Sequence, residues 1–296
     1  MNVTISLNSR EIELLMTHYQ SSALENNNPN ALFRAKVQGV TLTLYKTGKL
    51  LLQGEVAMMV KYEIDELLEQ GEVIDSPLKL AIIGSDEVGT GDYFGPVVVC
   101  CCLVPPEEFS YFMSLGVRDS KQLSDRKIRL LAPLIMGRIH YSVVTLNNPE
   151  YNEVMKIPDM NMNKIKAILH HRAIQKMLNK KLHYDRIIVD AFTTSEHFKR
   201  YLSHQAPLGV PIELIEKAED QYLSVASASI IARFTFLEAM DSLEKEMGFP
   251  LPKGAGAPVD QVIQEILTDS SKEILYKIAK VNFKNTEKVQ SKNTSF

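Results

Sequence analysis

Hydrophobic spacing changes period several times along the chain, and each change predicts an element. Residues 2–7 alternate apolar and polar, as a half-buried strand does. Apolar positions then recur every three or four residues to about residue 20, predicting a helix that Asn8 or Ser9 can cap. The polar stretch 21–30 contains Asn26-Asn27-Asn28-Pro29-Asn30 and reads as a loop. Residues 31–37, 41–46 and 49–53 form a predicted meander whose turns are Gln38-Gly39 and Thr47-Gly48. A helix over 57–69 follows, and the glycine and proline of 71–77 mark a linker. These elements define a small α+β domain over residues 1–75, linker included.

From residue 76 to 296 the pattern is that of a larger α/β domain. Strands are predicted at 79–85, 96–104, 138–146, 186–190 and 211–217. Helices are predicted near 124–136, 161–180, 194–204, 225–247, 258–267 and 271–280. Three successive strands and then alternating helix and strand predict a mixed sheet flanked by helices. The polar tail 287–296 is expected to fray.

Composition excludes little beyond extremes. The chain has 296 residues, 45% hydrophobic and 23% charged, as in ordinary globular proteins. A net charge of −3 means that any nucleic-acid binding must rest on local basic patches. No apolar stretch reaches the roughly 18 residues of a membrane span, and the N-terminus lacks a signal-peptide core. A cytoplasmic monomer without membrane contact is the expectation. Cys100, Cys101 and Cys102 are consecutive on a predicted strand, so their side chains alternate between faces and are expected to pack, not to bind zinc.

The candidate chemistry begins where the strand over 79–85 stops at Asp86-Glu87-Val88-Gly89-Thr90-Gly91-Asp92. Three acidic groups this close repel one another and are costly to bury without a cation. Oxygen-only ligation favours a hard ion such as Mg²⁺. A strand-end Asp-Glu pair also serves simply as turn former or cap. Gly89-Thr90-Gly91-Asp92-Tyr93-Phe94-Gly95 approaches a dinucleotide fingerprint, but its third glycine is one residue late and Pro96 opens a strand instead of a helix. Two further strands end in acid, at Asp190 and at Glu219-Asp220. If the first, fourth and fifth strands of this domain run parallel, Asp86, Glu87, Asp190 and Glu219 converge where α/β sheets place their functional groups. Such a set suits a two-metal site.

Other motifs carry two readings each. In Asp119-Ser120-Lys121-Gln122-Leu123-Ser124, Lys121 can hold a phosphate, while Ser124 can cap the next helix. Asn161 and Asn163 open a long helix, where their amides can cap it or meet sugar and phosphate oxygens. The small, hydroxyl-rich run 225–233 suits close helix packing, and Lys253-Gly254-Ala255-Gly256-Ala257-Pro258 is a basic loop. Arg34, Lys36, Tyr45, Lys46 and Lys49 lie on neighbouring strands, either as a solvated face or as a nucleic-acid surface.

Taken together, the Asp-Glu-Val-Gly turn, Val189-Asp190, and Lys217-Ala218-Glu219-Asp220-Gln221-Tyr222 followed by Ser224–Arg233 resemble the type 2 ribonucleases H. Gly89-Thr90-Gly91-Asp92, a glutamate at 219 and the N-terminal extension are similar to the bacterial ribonuclease HIII branch. The resemblance implies a ribonuclease H-like domain preceded by a TATA-box-binding-protein-like domain that binds substrate. It implies catalytic and metal-binding roles for Asp86, Glu87, Asp190 and Glu219. Counting back ten residues from Ser229 selects Glu219 over the adjacent Asp220. The implied activity is hydrolysis of the RNA strand of RNA–DNA hybrids with two Mg²⁺ or Mn²⁺ ions, leaving 5′-phosphate and 3′-hydroxyl ends. Gly89, Thr90 and Gly91 are then the candidate readers of the 2′-hydroxyl, with Lys121, Asn161, Asn163, Arg34, Lys36, Tyr45 and Lys46 as further substrate contacts. The rivals are incision at single ribonucleotides in DNA, as in ribonuclease HII, and non-catalytic hybrid binding. The former branch carries Arg or Lys where Thr90 stands; clustered acids argue against the latter.

Overall fold

Turn chemistry sets the register of the N-terminal unit. The chain divides into two compact units, Met1–Lys79 and Leu80–Phe296. The computed structural model describes residues 2–26, 28–70, 80–117, 123–269 and 272–293, so the expected linker 71–77 and Lys121 lie outside the described residues. In the first unit β1 (Asn2–Ser6) leads to α1 (Ser9–His18), then to β2 (Ala31–Val37), β3 (Val40–Tyr45), β4 (Lys49–Gln53) and α2 (Ala57–Gln70). Asn8 Oδ1 accepts the Glu11 N–H at 3.0 Å while Glu11 Oε2 accepts that of Asn8 at 2.7 Å, a reciprocal cap. Gln38 and Gly39 are both left-handed, with φ of +49° and +82°, the geometry that a two-residue hairpin needs. The antiparallel sheet has the order β1-β4-β3-β2. Phe33, Leu42, Leu44, Leu50 and Leu52 pack from one face against Leu15, Val60 and Ile64 of the two helices.

In the second unit the elements follow as β5 (Ile82–Val88), β6 (Val97–Val104), α3 (Phe109–Ser114), α4 (Asp125–Met136), β7 (His140–Leu146), α5 (Asn148–Val154) and α6 (Met162–Leu178). Then come β8 (Arg186–Asp190), α7 (Ser195–Tyr201), β9 (Glu213–Ile215), α8 (Leu223–Met247), α9 (Ala257–Asp269), α10 (Lys272–Ile278) and α11 (Lys284–Asn293). The sheet order is β7-β6-β5-β8-β9. β5, β8 and β9 run parallel, and β6 and β7 antiparallel to their neighbours. All eight residues of β6 are buried, as an unbroken apolar run predicts for a strand covered on both faces. The cysteines alternate accordingly: Cys101 joins the core beneath α6, whereas Cys102 Sγ donates to Ser224 O at the start of α8. All three are free and buried.

Close approach decides how α8 sits. A Cβ at Gly84 would fall 2.4 Å from the backbone of Ser224 and Val225, so only glycine lets this helix end lie on β5. α8 is also the one described helix long and apolar enough to cross a membrane, and most of its apolar window is buried inside the protein.

Several expectations shift. β5 starts three residues later than 79–85 and runs on through the acidic pair to Val88, because pairing with β6 continues as far as Val98. β9 keeps only three of the residues 211–217. The short helices α3 and α5 lack enough turns to show a period, and the tail does not simply fray. α11 extends through 284–293 and buries Val289, while Asn285 Nδ2 bonds Ala255 O at 3.0 Å.

Replacing Gly84 by Ala is expected to destabilise the protein by about 3 kcal/mol, since the clash is with backbone and not with a yielding side chain. Chemical denaturation of the two proteins measures it.

Candidate active site

Parallel pairing brings two acids together. Ser85 of β5 pairs with Val189 of β8, so the next residues, Asp86 and Asp190, stand side by side at the carboxyl ends of their strands. β9 pairs beyond them, matching Asp190 with Ile215. The chain then passes through Lys217, left-handed at φ +53°, into the 3₁₀ turn Ala218–Asp220. That turn buries Glu219 to 4% exposure and leaves Asp220 exposed. Inward orientation thus favours Glu219, the residue that ten-residue spacing selects.

Hydrogen bonds tie Asp86 and Asp190 to the backbone and Asp190 to Glu219. Asp190 Oδ1 accepts the Ala218 N–H at 2.8 Å, and its carboxyl shares a hydrogen bond with Glu219. Asp86 Oδ1 accepts the Glu87 N–H at 2.7 Å and is also bonded by Ser229 of α8. Burial, then repulsion from Glu87 and Asp190, pushes the Asp86 carboxyl well above the usual range. Burial and the bond shared with Glu219 raise Asp190 to about 7.

Glu87 is held differently. As the next residue on a strand it points to the other face from Asp86, toward α6. Its Oε1 pairs with the Lys166 ammonium and its Oε2 faces His170 Nε2 at 2.8 Å. Burial alone would raise its pKa, but His170 and Lys166 outweigh burial and lower it. Ser85 Oγ donates to Cys100 O at 2.9 Å and lies 2.7 Å from His170 Nδ1, so that ring nitrogen donates to it. The Phe192 ring stacks on His170 at 5.4 Å and lies 4.1 Å from Lys166 Nζ.

The donor chemistry fits a hard divalent cation: oxygen ligands only, two of them driven toward protonation by burial and mutual repulsion. Among the described residues no three His, Cys, Asp or Glu side chains yet enclose an ion. The commitment of Glu87 to α6 accounts for its part in that.

Gly89 begins the adjoining loop at φ +90°, where a Cβ would meet Pro96 O at 2.1 Å. A Cβ at Gly91 would touch nothing, so packing does not require glycine there, whereas close approach of a ligand would. Thr90 is half-buried. β6, not a helix, follows this loop, as the mismatch to a dinucleotide turn predicts. The loop is anchored through 92–95: Gly254 N–H donates to Asp92 Oδ1 at 2.7 Å, and Tyr93 N–H donates to Gly254 O at 2.8 Å. The fully buried Lys280 donates from Nζ to Asp92 O at 2.8 Å and also to Gly95 O, with its pKa lowered by burial to about 7. Asn148 donates to the same Gly95 oxygen at 2.9 Å.

The remaining candidates are placed by their own elements. Asn161 caps α6 by accepting the Lys164 N–H at 3.0 Å, and Asn163 is exposed in its first turn. In the N-terminal unit Arg34 and Lys36 alternate with the buried Phe33 and Ala35, so they share the sheet face away from the helices; Tyr45 follows buried Leu44 onto that face and Lys46 sits exposed at the turn. Sequence reasoning missed Lys166, His170, Ser85 and Phe192. The available signal was a lysine and a histidine four residues apart inside a buried helical stripe.

A carboxylate cluster at the ends of parallel strands, with a mixed five-stranded sheet behind it, defines a nuclease of the ribonuclease H type. Residues 83–286 match the ribonuclease HII family, and residues 2–62 match a domain of unknown function, DUF3378. Ribonuclease HIII of Streptococcus pneumoniae strain CGSP14 is 38% identical over 292 residues, covering 98% of this chain and 99% of the relative. The crystal structure of Bst-RNase HIII in complex with Mn²⁺ is 37% identical, covers 98% of both chains and superposes with a TM-score of 0.71. That of Aquifex aeolicus RNase H3 is 29% identical, covers 95% of this chain and 99% of its own, and gives 0.56. The chain belongs to the ribonuclease HII family of type 2 ribonucleases H, in its ribonuclease HIII branch.

Asp190 sets a pH dependence. Its folded pKa of about 7 exceeds the unfolded value of about 3.9. The folded state therefore holds the extra proton, and stability falls as pH rises through this window. The metal-free Asp190→Asn protein is expected to gain thermal stability over the parent between about pH 5 and about pH 8. Melting curves at both pH values check it; an equal difference at each contradicts the assignment.

Proposed function

We propose that this chain is an endoribonuclease that hydrolyses the RNA strand of RNA–DNA hybrids at the cluster of Asp86, Glu87, Asp190 and Glu219. The observation carrying this reading is the meeting of Asp86, Asp190 and Glu219 at the ends of β5, β8 and β9, where burial and neighbouring acids raise two of the carboxyls. In it, Asp86 and Asp190 anchor divalent metal, and Glu87 and Glu219 complete the ligand set. Two ions, Mg²⁺ or Mn²⁺, would supply activation of the attacking water and charge compensation at the departing 3′ oxygen. The chain's own part is to hold these carboxylates and to seat the scissile phosphate. The implied products carry 5′-phosphate and 3′-hydroxyl ends.

Recognition of RNA has to come from the 2′-hydroxyl. The Gly89-Thr90-Gly91 loop adjoins β5, and its open side at Gly91 supports its role as reader. Lys121, Asn161 and Asn163 are assigned to phosphate and sugar oxygens. The N-terminal unit, residues 1–75, is assigned to binding hybrid through Arg34, Lys36, Tyr45 and Lys46, whose open, partly basic sheet face suits a nucleic-acid backbone. The enzyme is taken to act as a cytoplasmic monomer.

Asp86→Asn is expected to lower kcat by about 10³-fold or more, because losing a ligand charge removes several kcal/mol of transition-state stabilisation. Hybrid affinity should stay within about threefold, since one negative charge facing phosphate is gone. Cleavage and binding of a labelled hybrid measure both, and near-normal turnover of the folded variant overturns the site.

A run of ribonucleotides should be cut at least about tenfold better in kcat/KM than one ribonucleotide in a DNA duplex. Thr90 offers a short hydroxyl where a long cation would grip a single junction, so binding has to draw on successive 2′-hydroxyls. Equal values would place the chain with incision at single ribonucleotides.

A further inference from the structure

Glu87 is held from α6 by a lysine and a histidine. Both its oxygens are taken, one by Lys166 and one by His170, and all three side chains are at most 10% exposed. Lys166 lies in the second turn of α6 among Ile165, Ala167 and Leu169, a place where an ammonium is costly to bury unpaired. Exchanging such a buried pair for apolar side chains is often neutral or stabilising, so the fold by itself gives little reason to keep it. His170 is further fixed from the sheet by Ser85, the residue just before the acidic pair. Phe192, two residues beyond Asp190, packs on both side chains. The strand ends that carry the acids therefore also carry the parts that fasten Lys166 and His170.

We propose that Lys166 and His170 are positioning residues that hold Glu87 turned toward α6, and that a divalent cation entering the cluster takes Glu87 over from Lys166. The inference rests on the carboxylate site proposed above. Two consequences follow, and they oppose one another. While Lys166 stays, its charge repels the incoming ion and competes for Glu87. Once the ion is bound, the nearby clamp limits where Glu87 can go, which keeps the ligand set in a productive arrangement.

The test uses the full chain and Mn²⁺ alone as probe. Lys166→Met is expected to bind Mn²⁺ about threefold or more tightly in titration calorimetry while kcat on hybrid falls about tenfold or more. KM should be unchanged, and Lys166→Arg should recover most of the turnover. A merely structural pair would predict a lower melting temperature with weaker Mn²⁺ binding, and that result overturns the proposal. So does a raised KM at constant kcat, which would make Lys166 a phosphate contact, and so does no change in either kcat or Mn²⁺ affinity. If Lys166→Met does not fold, His170→Gln keeps the lysine paired and still has to lower kcat without weakening Mn²⁺ binding or raising KM. Asp86→Asn, titrated alongside, separates the two readings: Mn²⁺ binding equal to the parent's there overturns the carboxylate site itself.

Discussion

Negative charge gathered at the end of a buried sheet is the constraint on which the larger unit depends. Asp86 and Asp190 sit next to each other because β5 and β8 run parallel in register, and neither can spread away without leaving its strand. Burial and proximity both disfavour ionisation, so the cluster stores electrostatic cost. The surroundings answer with oriented dipoles: the Ala218 and Glu87 N–H groups and the Ser229 hydroxyl all point at the acids. None of these carries a full charge. Behind them, on α6, the Lys166 ammonium serves Glu87.

Rigidity around this cluster comes from opposite sides of the sheet. α8 is pressed onto β5 at Gly84 and delivers Ser229 to Asp86 a little over one turn later. α6 covers the other face and delivers Lys166 and His170 one turn apart. The register of the carboxyls is thereby fixed from above and below, while the edge toward Gly91 stays open. A polymeric substrate can approach only where packing has left such space.

Much of this arrangement was legible in the sequence because apolar runs stop abruptly at acids. Ile187-Ile188-Val189 ending in Asp190 is unambiguous once a parallel sheet is assumed. Glu219 and Asp220 were harder, since both follow the strand and only the 3₁₀ turn with left-handed Lys217 shows which one turns inward. The clamp on Glu87 was not legible. Adjacent on one helix, His170 and His171 give no sign in the sequence of what each one touches elsewhere in the fold. His170 meets Glu87 and His171 meets Ala206 O, contacts 83 and 35 residues distant in the chain. The polar tail misled for a related reason: its apolar content is low, and α11 is held by Asn285 and Thr286 bonding partners far back in sequence.

Those distant partners bear on how the protein is made. Lys280 reaches 188 residues back to fasten Asp92 O, and Thr286 reaches 193 back to the Tyr93 hydroxyl. β5 and β6, which flank the loop, can pair as soon as they are synthesised, whereas the loop between them gains its fastenings in turn, from Asn148, from Gly254 and finally from Lys280 and Thr286. Synthesis from the N-terminus therefore completes the strand that bears the acids early and the loop beside them last. A chain truncated before residue 280 would keep every carboxylate and lack the last fastenings of the loop beside them, those of Lys280 and Thr286.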